Sequence, residues 1–202
     1  MRCPHKKTLS GNARRRKVSL KENSGRLNDE AIKLSQSGLY TEAIACFKRA
    51  ITLEKDNWLL WFNLGLTLRD AGFLEEAITA LETAGNFETD EIHFDVIEAL
   101  AVSYFDAKNF DKALSTCLEG LEYNPTNAEL WNTIGAVYFN KAEYTDAMEA
   151  FETAVTINPY YPEALYNLRD TYRELKNETG ARECEQKLKS IKTNNGSQGD
   201  FN

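Results

Sequence analysis

One alanine register constrains this chain more than any other feature. Ala43, Ala77, Ala113 and Ala147 stand 34, 36 and 34 residues apart. Each is followed four residues later by a larger side chain (Phe47, Leu81, Cys117, Phe151) and three after that by a small one (Ala50, Ala84, Gly120, Ala154). Steps of four and three keep all three positions on one face of a helix. A further step of 34 from Ala147 reaches Ala181, a fifth copy. Recurrence at a fixed interval of this size is the mark of stacked helical units, each too small to bury its own apolar face. An ordinary helical bundle would not demand the same small residue at a constant interval.

The segments upstream repeat in the same register. Trp61-x-x-Leu64-Gly65-x-x-Leu68 returns as Trp131-x-x-Ile134-Gly135-x-x-Tyr138, with looser copies at Leu27–Leu34, Ile97–Tyr104 and Leu165–Tyr172. Between the two halves of each unit lie turn signals: Ser37-Gly38, Ala71-Gly72, Lys108-Asn109, Lys141-Ala142 and Lys176-Asn177. Units three and four close on Asn124-Pro125 and Asn158-Pro159, where proline stops a helix and pushes the residue before it out of helical space. Small residues at Gly65, Ala101 and Gly135 allow close helix approach, while Trp61, Trp131, Phe47 and Phe151 fill the space alongside.

The pattern resembles the tetratricopeptide repeat family, two antiparallel helices per unit. The resemblance implies an all-α fold, a right-handed α-α superhelix (solenoid) of about five helix-turn-helix repeats. It covers residues 24–195, as repeats 24–57, 58–91, 94–127, 128–161 and a degenerate capping repeat 162–195. Residues 1–23 read as a basic, disordered arm and 196–202 as a disordered tail. Arg182, Glu185 and Lys189 give the last helix a polar outer face, and Glu30 replaces the usual leucine in the first unit. These ends read as caps on a complete stack. Gly85 stands where other units carry Ile51, Leu121 and Val155, and two extra residues follow it. An early helix end, a longer loop and a hinge are expected there.

Composition narrows the function. Hydrophobic content of 42% and charged content of 27% suit a folded chain, and no apolar run is long enough for a membrane span. The basic N-terminus lacks the apolar stretch of a secretory signal, so a cytoplasmic location is expected. Cys3, Cys46, Cys117 and Cys184 lie far apart with no paired spacing, and three of them fall on helical faces as small hydrophobes. With only His5 and His93, and with Cys3 and His5 offering two ligands, no metal site is expected. His93 reads as a loop residue. No phosphate-cradling glycine loop or nucleophile elbow occurs, and no catalytic residue or cofactor is expected; the chain does not read as an enzyme. Arg15-Arg16-Lys17-Val18-Ser19 has the form of a basic-directed kinase site, a match common in basic tails.

The family resemblance places partners on the concave side, lined by the first helix of each unit. Mapped through the repeat, that surface holds Leu59, Phe62, Asn63, Leu66, Arg69, Asp95, Glu98, Val102, Phe105, Asp106, Glu129, Asn132, Ala136, Phe139, Tyr166, Asn167 and Asp170. It forms an apolar strip rimmed by acids, suited to a peptide or amphipathic helix with apolar anchors and basic flanks. The expected role is that of a scaffold or adaptor for another protein. The chaperone-adaptor branch of the family clamps a C-terminal carboxylate with Lys, Asn and Arg. Here Asn28, Ile32, Asp95 and Ala99 stand at those places, so an acidic chaperone tail is not the expected partner.

Charge is unevenly spread. Residues 1–22 carry eight Lys or Arg against Glu22, about +7, and the remainder carries 16 basic against 30 acidic residues, −14. The alternative function is weak association of this arm with nucleic acid or an anionic surface, with the repeats as a partner platform. The arm could equally compete for the acidic groove.

Overall fold

A computed structural model describes residues 23–87 and 94–196, with side chains as far as 191. The basic arm with Cys3, His5 and Ser19, the loop holding His93, and the C-terminal tail lie outside the described residues. Within them the chain is helix after helix: α1 (Ser24–Gln36), α2 (Tyr40–Leu53), α3 (Trp58–Asp70), α4 (Leu74–Gly85), α5 (Phe94–Asp106), α6 (Phe110–Tyr123), α7 (Ala128–Asn140), α8 (Tyr144–Ile157), α9 (Pro162–Glu174) and α10 (Glu178–Gly196). Each helix packs on the next, and α1, α3, α5, α7 and α9 also touch in sequence, which makes an all-α solenoid.

Local chemistry sets where these helices begin. Asn23, Asn57, Asn109 and Asn127 each accept a hydrogen bond from a backbone N–H of the first turn (Arg26, Leu59, Lys112 and Leu130), satisfying a donor the helix cannot. Asn177 accepts from Gly180 N at 3.1 Å in the same way. Pro162 starts α9, where a missing N–H costs nothing. Trp61 and Trp131 tie the preceding loops down: each indole N–H donates 3.0 Å to a carbonyl six residues earlier, Lys55 and Pro125.

The turn inside each unit is the same structure five times. A backbone N–H reaches the carbonyl five residues back, Leu39 to Leu34, Phe73 to Leu68, Asn109 to Tyr104, Glu143 to Tyr138 and Asn177 to Tyr172, at 2.8 to 3.0 Å. This six-to-one bond needs a left-handed residue just before it. Gly38 and Gly72 supply it in two units, with φ of 75° and 83°. Lys108, Ala142 and Lys176 supply it in the others, with φ of 57–60°. In units three and five the left-handed residue is therefore the lysine of the Lys-Asn pair. The asparagine is free to cap the next helix.

The alanine register forms the core. Ala43, Ala77, Ala113 and Ala147 are fully buried, as are Phe47, Leu81 and Cys117, and Phe151 is 1% exposed. Opposite them, a Cβ on Gly65 would sit 2.6 Å from Leu81 Cγ, and one on Gly135 would sit 2.6 Å from Phe151 Cδ1. The matching position in unit three is Ala101, fully buried across from the smaller Cys117. α4 ends at Gly85 with 12 residues, against 14 in α2, α6 and α8. Cys117 and Cys184 are buried in the core, and Cys46 packs against its first cluster. Burial pushes the Cys117 thiol up to about 12, so it acts as a hydrophobe.

Two inter-unit clasps recur 68–70 residues apart. Tyr104 Oη donates 2.5 Å to Glu82, and Tyr172 Oη donates 2.6 Å to Glu152. At the equivalent junction the pair is Tyr138 with Leu118, and Leu118 is 51% exposed.

Candidate functional site

The odd-numbered helices run parallel. Asn63 Nδ2 donates 3.0 Å to Asn28 Oδ1, and Asn167 Nδ2 donates 2.9 Å to Asn132 Oδ1. These asparagines are the fifth or sixth residues of α1, α3, α7 and α9, so corresponding turns lie side by side. Side chains at equal depth in these helices therefore lie side by side across the concave face, and two connected hollows lie on it.

The first hollow, about 520 Å³, spans α3, α5, α7 and the start of α9. Phe62, Leu66 and Val102 form its apolar wall, and Asp95, Glu98, Glu129 and Glu163 bring four carboxylates into it. Asp95, Glu129 and Glu163 are the second residues of their helices, and Glu98 sits one turn further into α5. Asn127, itself buried, caps α7 with its amide oxygen and donates from its amide nitrogen to Glu98. Burial holds Glu98 above the ordinary carboxylate range; the Asn127 hydrogen bond opposes this, and Glu129 and Asp95 add to it. Arg69 lines the same hollow but pairs with Asp70 at 3.5 Å. Among the described residues no ion pair joins Asp95, Glu98, Glu129 or Glu163.

The second hollow, about 480 Å³, spans α5, α7 and α9. It shares Val102, Asn132, Thr133 and Glu163 with the first, which makes the groove continuous. Its floor is apolar: Phe105, Ala136, Phe139 and Tyr166, with an edge of the Phe151 ring below. Phe105 and Phe139 lean on Phe110 and Tyr144 of the following helices, at centroid distances of 5.8 and 5.4 Å, which fixes their ring planes. Asp106 borders this hollow and is raised above the ordinary carboxylate range by partial desolvation, with Arg69 pulling the other way and Asp70 adding to the rise.

Most of the residues mapped to the concave side line these hollows, with three qualifications. Leu59, 41% exposed, lines neither. Asn63 is occupied in the α1–α3 link. Asp170 is not an uncompensated acid: Arg169 contacts it through two nitrogens at 2.8 and 3.0 Å, and Arg173 approaches to 3.2 Å. Arg169 occupies the position that Gly65 and Gly135 hold elsewhere, so the repeat assigns it to a helix interface. Its guanidinium lies 5.1 Å from the Tyr166 ring centroid. Of the lining residues outside that mapped set, Tyr161 is the one that lies in no helix, because it precedes α9. Its hydroxyl is pushed up to about 12 by burial and by Glu129, Glu163 and Glu98, while Asn132 hydrogen-bonds to it.

No group of three or more His, Cys, Asp or Glu side chains among the described residues is placed to hold a metal ion. No helix among them is long and apolar enough to cross a membrane.

Comparison with known proteins agrees with the stack. A family profile described as Tetratricopeptide repeat matches residues 28–91, and a second of the same description matches 128–161. The TPR repeat-containing protein YpiA of Bacillus subtilis is 26% identical over 141 residues, 70% of this chain; the chain spans about a third (33%) of that relative. Among solved structures, MamA from Desulfovibrio magneticus superposes with a TM-score of 0.69 at 17% identity, covering 88% of this chain and 97% of that one. YrrB, described as a TPR protein with an unusual peptide-binding site, gives 0.60 at 21% identity, covering 85% and 88%. The profile matches fall on units that carry the alanine register, and the neighbours share the helical stack, so this chain belongs to the tetratricopeptide repeat family.

Proposed function

We propose that this chain is a protein-interaction scaffold whose concave groove holds a peptide or amphipathic helix of a partner, with bulky apolar anchors and basic flanks. The supporting observation is the join between the two hollows. An aromatic floor at Phe105, Phe139 and Tyr166 continues into four carboxylates with no ion pair among the described residues. Apolar burial supplies most of the affinity in such a groove, and the carboxylates select orientation and speed the encounter. The printed description of YrrB, a peptide-binding protein of the same fold, is consistent with this use of the surface.

Peptide display against the full chain tests the proposal. Selected sequences should combine Lys or Arg with Phe, Leu or Trp. Reversing charge at Glu98, Asp106 and Glu129 together should weaken the selected peptides at least tenfold at low salt. Unchanged affinity after that triple reversal would overturn the assignment.

A further inference from the structure

We propose that the chain's own residues 14–17, Arg14-Arg15-Arg16-Lys17, seat in the acidic hollow of the groove and compete there with external partners. This rests on the groove being the binding surface, as proposed above.

Three observations converge on this occupant. The first is position. The arm joins the stack at Asn23, the cap of α1, and the parallel run of α1, α3, α5, α7 and α9 puts that cap on the same edge as the first turns of α5, α7 and α9. Asp95, Glu129 and Glu163 stand on those first turns, with Glu98 one turn in, whereas α1 and α3 carry no acid in theirs. The carboxylates are therefore gathered on the edge from which the arm leaves.

The second is reach. Residues 14–17 precede Asn23 by six to nine positions, and extended chain covers about 3.3–3.6 Å per residue, so they reach about 20–30 Å. Neighbouring packed helices lie about 8–10 Å apart, which puts α5 and α7 about 16–30 Å from α1. Four consecutive basic residues fall at the distance of the carboxylates on α5 and α7, Asp95, Glu98 and Glu129, and Glu163 on α9 lies beyond them. Lys21 is too close to the anchor to reach α5, and Arg2, Lys6 and Lys7 lie within reach but form no run of four.

The third is charge. The arm carries about +7 and the rest of the chain −14, and no ion pair among the described residues answers Asp95, Glu98, Glu129 or Glu163. A tether of this length holds the arm at an effective concentration on the order of millimolar, enough to occupy a weak site. A partner with its own basic flank would have to displace it.

The experiment uses the full chain. Amide NMR spectra of the wild type and of Arg14→Gln/Arg15→Gln/Arg16→Gln are compared at 50 mM and 500 mM salt. The expected result is a set of shifts at residues 95–99 and 129–133 at low salt, absent at high salt where the screening length shrinks to a few ångströms. Asp95→Asn/Glu98→Gln/Glu129→Gln should in turn move the resonances of residues 14–17. Shifts confined to the arm and to Asn23 would overturn the proposal, and so would shifts that grow with protein concentration, which would place the arm on a second copy. In either failure, display peptides that still lose affinity on charge reversal would leave the groove assignment standing.

Discussion

Gly135 offers the sharpest test of the packing described above. In an isolated helix, replacing glycine by alanine gains about 1 kcal/mol. Here the new methyl would stand 2.6 Å from both Cδ1 and Cε1 of Phe151, a ring 1% exposed and enclosed by α7, α8 and α9. An ordinary carbon contact needs about 3.5–4.0 Å, so ring or helix must shift by roughly 1 Å. Overpacking of this kind costs about 1–3 kcal/mol, and the sealed ring puts the cost at the upper end. Subtracting the gain in helix propensity leaves Gly135→Ala destabilised by about 2 kcal/mol. Unit three carries the smaller pair at these positions, Ala101 and Cys117, both fully buried in one cluster. In a Phe151→Cys background, itself costly, Gly135→Ala should therefore change sign and stabilise by about 1 kcal/mol. Urea unfolding followed by circular dichroism and tryptophan fluorescence measures all four proteins, with coincident transitions and equal slopes as the check on two-state behaviour. A neutral or stabilising Gly135→Ala in the wild type would refute the reasoning. So would an equal effect in both backgrounds, because the cost would then have nothing to do with the ring.

Three further outcomes follow from the same geometry. Leu118→Glu should supply the clasp missing opposite Tyr138, adding about 0.5–1.5 kcal/mol to thermal or urea stability, and Tyr138→Phe should remove the gain. Ala142→Gly should stabilise by about 1 kcal/mol, since φ of 60° disfavours any residue with a Cβ, and Gly72→Ala should lose a similar amount. Glu98 has a folded-state pKa above its unfolded one, so the folded protein binds the proton more tightly; that contribution is present below about 4.5 and lost as pH rises through the folded value. Glu98→Gln should accordingly gain stability over the wild type at pH 7 and little at pH 4, as read by melting at the two pH values.

The alanine register was enough to read the fold, because each unit's small residues answer a large one across a helix pair and only stacking satisfies them all. The turns were half legible. Gly38 and Gly72 announce a left-handed residue, but Lys108, Ala142 and Lys176 adopt the same φ with no glycine to signal it. Only their register with Gly72 marks them, and the neighbouring asparagines draw attention to the wrong residue. In the groove, the first-turn acids and the aromatic strip follow from helical mapping. Tyr161 does not, because a linker residue has no place in a helical period. Nor does the compensation of Asp170, because Arg169 occupies an interface position that is glycine in units two and four, and a long side chain there can turn toward the groove.

The parallel run of α1, α3, α5, α7 and α9 also bears on why the groove is acidic. Each of these helices ends its N-terminus with unsatisfied N–H groups and a partial positive charge, and the parallel stack ranks those ends along one edge. A carboxylate in the first turn is favoured there by about 0.3–1 kcal/mol before any partner arrives. Asp95, Glu129 and Glu163 therefore serve their own helices as well as the surface they face. A stack of parallel first helices can in this way build up a strongly negative rim without straining its fold. For the same reason, neutralising those acids should loosen helix starts slightly even where no ligand is involved, a background that any binding experiment on this edge must subtract.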